Sequence, residues 1–136
     1  MTASFSIAHG CILVASLLPI VCAGIAKWGA IGKPRRDGGY DNDDPRAWLA
    51  GQSHWRARAN AAQANSFETL PFFIGAVIVA QQLGGAQARI DLLATAFVVL
   101  RMAYIASYLA SWSSARSIIW VAGLGVNIAI LLLGWR

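Results

Sequence analysis

Seven polar side chains lie within or at the edge of stretches that are otherwise apolar, and their spacing gathers them. Arg58, Asn65 and Glu68 come first. At about 100° per residue, Arg58 and Asn65 nearly superpose on a helix, and Glu68 lies about 60° from Asn65. Arg101, Tyr104 and Tyr108 follow one another at intervals of three and four, which places them on one helical face. Arg116 opens the last apolar run, after the candidate caps Ser113 and Ser114. A guanidinium there opposes the helix dipole, whose positive end lies at the same place. An anion held between the two would account for that placement, because both attract it. The competing reading is an arginine that snorkels to lipid phosphate. An ionisable cluster of this kind within membrane-depth segments points to a functional site.

No other pattern competes with that set. The acidic turn Asp41–Asp44 lacks the glycine and glutamate of a calcium loop and reads as a solvated turn. His9 and His54 are isolated, no cysteine–histidine spacing suggests a metal, and no glycine-rich phosphate loop or nucleophile–histidine–acid arrangement appears. Cys11 and Cys22 fall in one apolar run at a spacing that cannot close a disulfide within a helix, so they read as packing residues. Asn127 reads as an interhelical hydrogen-bonding residue.

The elements that position these residues follow from composition. The chain has 136 residues, is 57% hydrophobic and only 12% charged. A soluble domain carries about 25% charge, so the main solvent here is lipid. Eleven Lys and Arg against six Asp and Glu give +5. They gather beside apolar runs, which points to membrane topology and anionic lipid heads rather than nucleic acid. A bilayer span needs about 20 mostly apolar residues. Phe5–Ala26, Thr69–Ala88 and Ser117–Trp135 are uncharged, and Leu92–Ala115 carries only Arg101. Lipid admits helices or closed barrels, and the runs lack the alternation of barrel strands. The expected fold is all-α: a single domain over residues 1–136, an integral membrane four-helix bundle running up-down-up-down. Its helices are expected near 5–28, 55–82, 89–111 and 115–135. Short turns at Gly84-Gly85 and Ser111–Ser114 make sequence neighbours antiparallel. The long connection, near 29–54, contains Asp44-Pro45, which fits a helix N-cap followed by proline at the first helical position.

Lys27, Lys33, Arg35, Arg36, Arg46, Arg56 and Arg58 flank or fill that connection, and Arg116 lies in the third. Arg89 and Arg136 lie on the other side. The positive-inside rule puts the first and third connections in the cytoplasm and both termini outside. The N-terminus reads as uncleaved, because no basic residue precedes the first run and the run is too long for a signal peptide. A charge at mid-bilayer costs roughly 2.5–3.5 kcal/mol on the insertion scale, so Glu68 and Arg101 must face protein or a wet cavity. Pairing them is the simplest arrangement. Such a pair could hold the helices together and do nothing else.

The same residues carry a resemblance. RARANAAQANSFETLPFF, from Arg56 to Phe73, resembles the helix-2 signature of the family of membrane-associated proteins in eicosanoid and glutathione metabolism (MAPEG), with Arg58, Asn65, Glu68 and Pro71 matching. RMAYIASY resembles its helix-3 pattern through Arg101, Tyr104 and Tyr108, and ARSIIWVAGLG its helix-4 entry through Arg116. YDNDDPRAW is like the loop of bacterial members, which implies a bacterial cytoplasmic membrane. The resemblance spans nearly the whole chain. It implies a homotrimer that binds glutathione as co-substrate between subunits. Arg58, Asn65, Glu68, Arg101, Tyr104 and Tyr108 would hold the polar groups, and Arg116 would act catalytically by stabilising the thiolate. The implied activity is that of a glutathione S-transferase or peroxidase acting on lipophilic electrophiles or lipid hydroperoxides. One position departs from the pattern: eukaryotic glutathione-using members carry an arginine where this chain has Ala61. That departure favours an alternative, a non-catalytic structural or lipid-binding member of the family. A small proton-coupled multidrug exporter shares the size and one membrane-embedded Glu, but Arg101 would spoil a cation site. An accessory subunit of a larger membrane complex is the fourth reading.

Overall fold

In the computed structural model, residues 4–135 are described. Arg136, counted above in the charge asymmetry, lies outside them. Five α-helices form: α1 (Ile7–Lys27), α2 (Pro45–Ala50), α3 (His54–Gln82), α4 (Gln87–Leu109) and α5 (Ser113–Leu132). No strand occurs among the described residues. Three helices, α1, α4 and α5, are long and apolar enough to cross a membrane.

The helix α3 departs from the expectation of four apolar spans. It has 29 residues, but it contains only Thr69–Gln82 of the uncharged run. Gly84 adopts φ 75°, a conformation that glycine accepts without a side-chain clash, and the chain reverses there. The rest of the run belongs to the turn and the start of α4. Any bilayer crossing by α3 must therefore carry Glu68.

Side chains fix the helix ends. Ser6 accepts from His9 N while its own N–H donates to His9 Nδ1, closing a capping box on α1. The Asp44 carboxylate accepts from Ala47 N at 3.2 Å, and Pro45 follows as the first helical residue of α2. The connection before α2 is tied together by its acidic turn, because Arg35 pairs with Asp41 and Asp43. The hydrogen bond that Arg35 donates to Asp43 foremost, then the nearby Asp41 charge, raises the pKa of the Arg35 guanidinium. Two arginines serve as C-caps in trans. Arg56 donates to Ala26 O at 2.8 Å in the last turn of α1, and Arg58 donates to Leu109 O at 3.0 Å at the end of α4. Carbonyls there are unpaired within their helices and carry the negative end of the dipole, so a guanidinium satisfies both.

These contacts also set the polarity of packing. The start of α1 meets the end of α3, where Gln81 Nε2 donates to Ser6 Oγ. It also meets the start of α4, where Ala8 N donates to Asp91 Oδ1 at 2.8 Å. So α1 and α4 run one way and α3 the other. Gly85 lies close to the Leu133 carbonyl just beyond α5, which makes α5 antiparallel to α4. The helix α1 packs on α3 and α4, and α5 on α4 and α3.

Alanines dominate the interfaces. Ala8, Ala15, Ala62, Ala76, Ala80 and Ala94 are buried, and small residues let helices approach closely where lipid supplies no hydrophobic drive. Phe73 and Phe97 stack at 4.2 Å in the centre. Large apolar side chains such as Leu13, Ile20, Val99, Ile118 and Val121 face outward, as a lipid-contacting surface requires.

Asp91, which the sequence did not single out, ties the start of α1 to the start of α4. It accepts from both Ala8 N and Gln87 Nε2 at 2.8 Å. Asp91→Ala is expected to cost about 1–2 kcal/mol, the range for losing a capping carboxylate. The loss should appear as faster amide exchange confined to the first turn of α1. Unchanged exchange there would refute the role.

Candidate functional site

Two helical faces with the same four–three–four spacing meet across the α4–α5 interface. Phe97, Arg101, Tyr104 and Tyr108 lie on α4, and Arg116, Trp120, Gly123 and Asn127 on α5. Because the helices are antiparallel, the faces register end to end. The Arg116 guanidinium lies 4.3 Å from the Tyr108 ring centroid, and a methyl group at Gly123 would stand 3.8 Å from the Phe97 ring. Tyr104 and Tyr108 pack edge to face at 5.8 Å, and the Arg101 guanidinium stacks 4.2 Å from the Tyr104 ring. A ladder of Arg101, Tyr104, Tyr108 and Arg116 results, with cations at both ends and their positive charge set on ring faces.

Two recesses flank the ladder. The Arg116 recess, about 290 Å³, is lined by Asn65, Tyr104, Arg116, Ser117, Trp120 and Val121. The Asn127 recess, about 120 Å³, is lined by Glu68, Thr69, Phe72, Phe97, Arg101, Trp120, Gly123, Leu124 and Asn127. Trp120 borders both. Residues of α3, α4 and α5 thus converge on one region.

The placement of the expected site residues is uneven. Asn65, Tyr104 and Arg116 line one recess, and Glu68 and Arg101 the other. Tyr108 holds Arg116 through its ring. Arg58 lies apart: its Nε is bound to Leu109 O, and it lines neither recess.

The expected Glu68–Arg101 pair does not form. Arg101, 4% exposed, donates from Nη2 to Ser66 Oγ at 3.1 Å. Glu68 instead accepts from Asn65 Nδ2 at 3.3 Å and is exposed on the protomer. The reason is angular. Ser66 is about 100° round the helix from Asn65 and faces α4, whereas Glu68 lies about 200° round from Ser66, turned away from that contact. The expected caps of α5 also differ. Ser113 and Ser114 lie inside its first turn, Trp112 occupies the cap position without a side-chain bond, and Arg116 N donates to Trp112 O at 2.9 Å.

Two acceptors in the region are buried without a partner among the described residues, Asn65 Oδ1 and Asn127 Oδ1; Gln63 Oε1, which lines neither recess, is a third. Buried polar atoms normally find hydrogen bonds, so each such atom asks for a ligand, a water or a neighbouring chain. Sequence reasoning missed Ser66, Trp120 and the cleft-lining role of Asn127. The signal for the last two was present: Arg116, Trp120, Gly123 and Asn127 share one spacing with the α4 stripe. Ser66 carried none, because a serine beside an asparagine has no distinguishing pattern.

Among the described residues no group of histidine, cysteine and acidic side chains could hold a metal ion. Cys11 and Cys22 are free and buried. Comparison with curated proteins gives no match, and comparison with solved structures gives none either. A family model described as the MAPEG family matches residues 7–135. With a match over nearly its whole length, and with polar residues of α3, α4 and α5 converging between its helices, the chain belongs to the MAPEG family.

Proposed function

We propose that this protein is a membrane-bound glutathione transferase or peroxidase acting on lipophilic electrophiles or lipid hydroperoxides. The observation that carries the reading is the convergence of Asn65, Tyr104 and Arg116, from three helices, on one recess. Glutathione is the co-substrate that recess suits. Its amide and ammonium N–H groups match the unpartnered acceptor Asn65 Oδ1. Arg116 makes no ion pair with a carboxylate among the described residues, so its charge is available to a thiolate. A free thiol, with pKa near 8.5, is mostly protonated at neutral pH, and a guanidinium in the first turn of a helix shifts it toward thiolate. The thiolate sulfur then attacks an electrophilic carbon and displaces its leaving group, or attacks the terminal oxygen of a hydroperoxide, breaking the O–O bond; with a proton from solvent this releases the alcohol and leaves a sulfenic acid, which a second thiol converts to disulfide and water.

The working unit is a homotrimer with four spans per chain, the α1–α3 and α4–α5 connections in the cytoplasm and both termini outside. Glu68 supports assembly. It sits halfway along α3, exposed on the protomer beside Phe67 and Phe72. An ionised carboxylate at that depth against lipid is costly, and a second copy laid over it removes the contact.

Calorimetric titration of glutathione into detergent-solubilised protein tests the reading, and saturable binding is expected. Absence of binding would overturn it in favour of a second reading, a non-catalytic family member whose polar cluster organises the assembly. Two observations favour that second reading: Ala61 offers no charge to a carboxylate, and Arg58, one turn earlier, is engaged with Leu109 O. Under it, Glu68→Gln would dissociate the oligomer while no thiol raised the melting temperature.

A further inference from the structure

The connection between α4 and α5 joins the two side chains whose contact seats the Arg116 guanidinium. Helix α4 ends at Leu109 and α5 begins at Ser113. Tyr108 lies just before that connection and Arg116 just after it, with the guanidinium 4.3 Å from the Tyr108 ring centroid. Helix α4 closes with the hydrogen-bond pattern of a Schellman motif: Trp112 N donates to Ser107 O at 2.9 Å, and Ser111 N to Tyr108 O at 3.1 Å. Such a motif puts one residue in the left-handed region, usually a glycine. Here that residue is Ser111, at φ 62°. A side chain there crowds the backbone, so the turn keeps its shape only while surrounding contacts hold it.

The motif also leaves one carbonyl over. The N–H groups of Ser111, Trp112 and Ser113 go to Tyr108, Ser107 and Ser111, and none of them reaches Leu109 O. Arg58 supplies the missing donor from α3, Nε to Leu109 O at 3.0 Å. A third helix is thereby fastened to the last residue of α4, one position after Tyr108. Arg58 lines neither recess, so its influence on the site passes through this turn. Without the bond, Ser111 is free to relax out of the left-handed region. The first turn of α5 then shifts against α4, and Arg116 leaves the Tyr108 ring.

We propose that Arg58 is a positioning residue: by holding Leu109 O it fixes the α4–α5 turn, and with it the seat of Arg116 on Tyr108. The catalytic meaning of this role rests on the proposed glutathione chemistry, but the positioning itself does not.

Two substitutions separate the bond from the charge. Arg58→Gln places an amide nitrogen the same number of bonds from the backbone as Nε, so the donor stays and the charge goes. Arg58→Met has the same reach and no donor. The first readout needs no thiol: full-length protein in lipid nanodiscs is treated with phenylglyoxal, and modification of Arg116 is followed by peptide mass spectrometry. In Arg58→Met the rate should rise about tenfold, because losing one hydrogen bond enlarges the released population by about that factor. In Arg58→Gln it should stay within about twofold of the unmodified protein. Ser111→Gly, which removes the strain at the turn, should bring the rate of Arg58→Met back down. The second readout is conjugation of glutathione to 1-chloro-2,4-dinitrobenzene. Arg58→Met should lower kcat/KM about tenfold and move the rate profile to the alkaline side, and in the Arg116→Ala background it should add less than about twofold.

An Arg116 rate unchanged by Arg58→Met would overturn the proposal. So would equal effects of Gln and Met, which would mean that the charge acts and not the bond, or a full loss from Arg58→Met in the Arg116→Ala background. If Arg58→Met does not fold, Arg58→Gln decides alone: an unaltered Arg116 rate supports the proposal and an altered one contradicts it. A protein that fails to bind glutathione yet releases Arg116 in Arg58→Met would sink the catalytic reading and leave the positioning role standing. Intact conjugation with no change in Arg116 reactivity would do the reverse.

Discussion

Arg116→Ala is expected to lower kcat/KM for glutathione conjugation about 100-fold, the scale for removing one charge-stabilising donor at a developing anion. The guanidinium sits in the first turn of α5 against the Tyr108 ring, with no carboxylate among its contacts. Its field therefore acts on whatever anion occupies the recess. Removing it raises the pKa of a bound thiol toward the free value, near 8.5. The thiolate fraction at neutral pH falls, and the rate profile moves to the alkaline side. Much of the lost rate should return at high pH, which a merely structural role would not produce. Arg116→Lys should recover part of the activity, since a charge remains but the planar group that stacks on Tyr108 does not. Tyr108→Phe should cost little by comparison, because the ring face and not the hydroxyl holds Arg116. An Arg116→Ala enzyme with unchanged rate and pH profile would remove the residue from the mechanism.

Arg101→Met is expected to leave the fold intact and to gain up to about 2 kcal/mol in stability. The guanidinium is buried, forms no ion pair among the described residues and makes one side-chain hydrogen bond, to Ser66. Inserting an arginine at the centre of a membrane helix costs roughly 2.5–3.5 kcal/mol, and one hydroxyl with one ring face offsets only part of that. A methionine of similar length fills the space without the charge. Thermal unfolding in detergent measures the gain. Ser66→Ala makes the converse test: it should destabilise the unmodified chain by about 1–3 kcal/mol, by leaving the guanidinium unsatisfied, and do almost nothing in the Arg101→Met background. If Arg101→Met unfolds the protein, Arg101 is a structural post.

Much of this architecture is legible in the order of residues. The apolar runs specify membrane helices because lipid offers backbone groups no alternative partner. The spacing of Asn65 and Glu68, and of Arg101, Tyr104 and Tyr108, specifies a shared face on each helix, because the helical repeat is fixed by backbone geometry. Asp44-Pro45 specifies the start of α2, since the cap and the proline each act on their own neighbours. The match of the family model over residues 7–135 agrees with motifs read directly from the chain.

Other features depend on groups far apart in sequence. Nothing local says that Arg101 meets Ser66 rather than Glu68. That depends on the rotation of α3 against α4, which the buried alanines and the Phe73–Phe97 stack set together. Nor does sequence say that Arg56 and Arg58 bond the ends of α1 and α4, or that Asp91 caps α1. Those partners lie 30, 51 and 83 residues away. The division of one expected polar cluster into two recesses on either side of Trp120 is likewise a product of packing. Periodicity along a chain determines which side chains share a face. Which faces meet, and at what rotation, is decided only when the helices close on one another, because that choice is made by the shapes of all the contacting side chains at once.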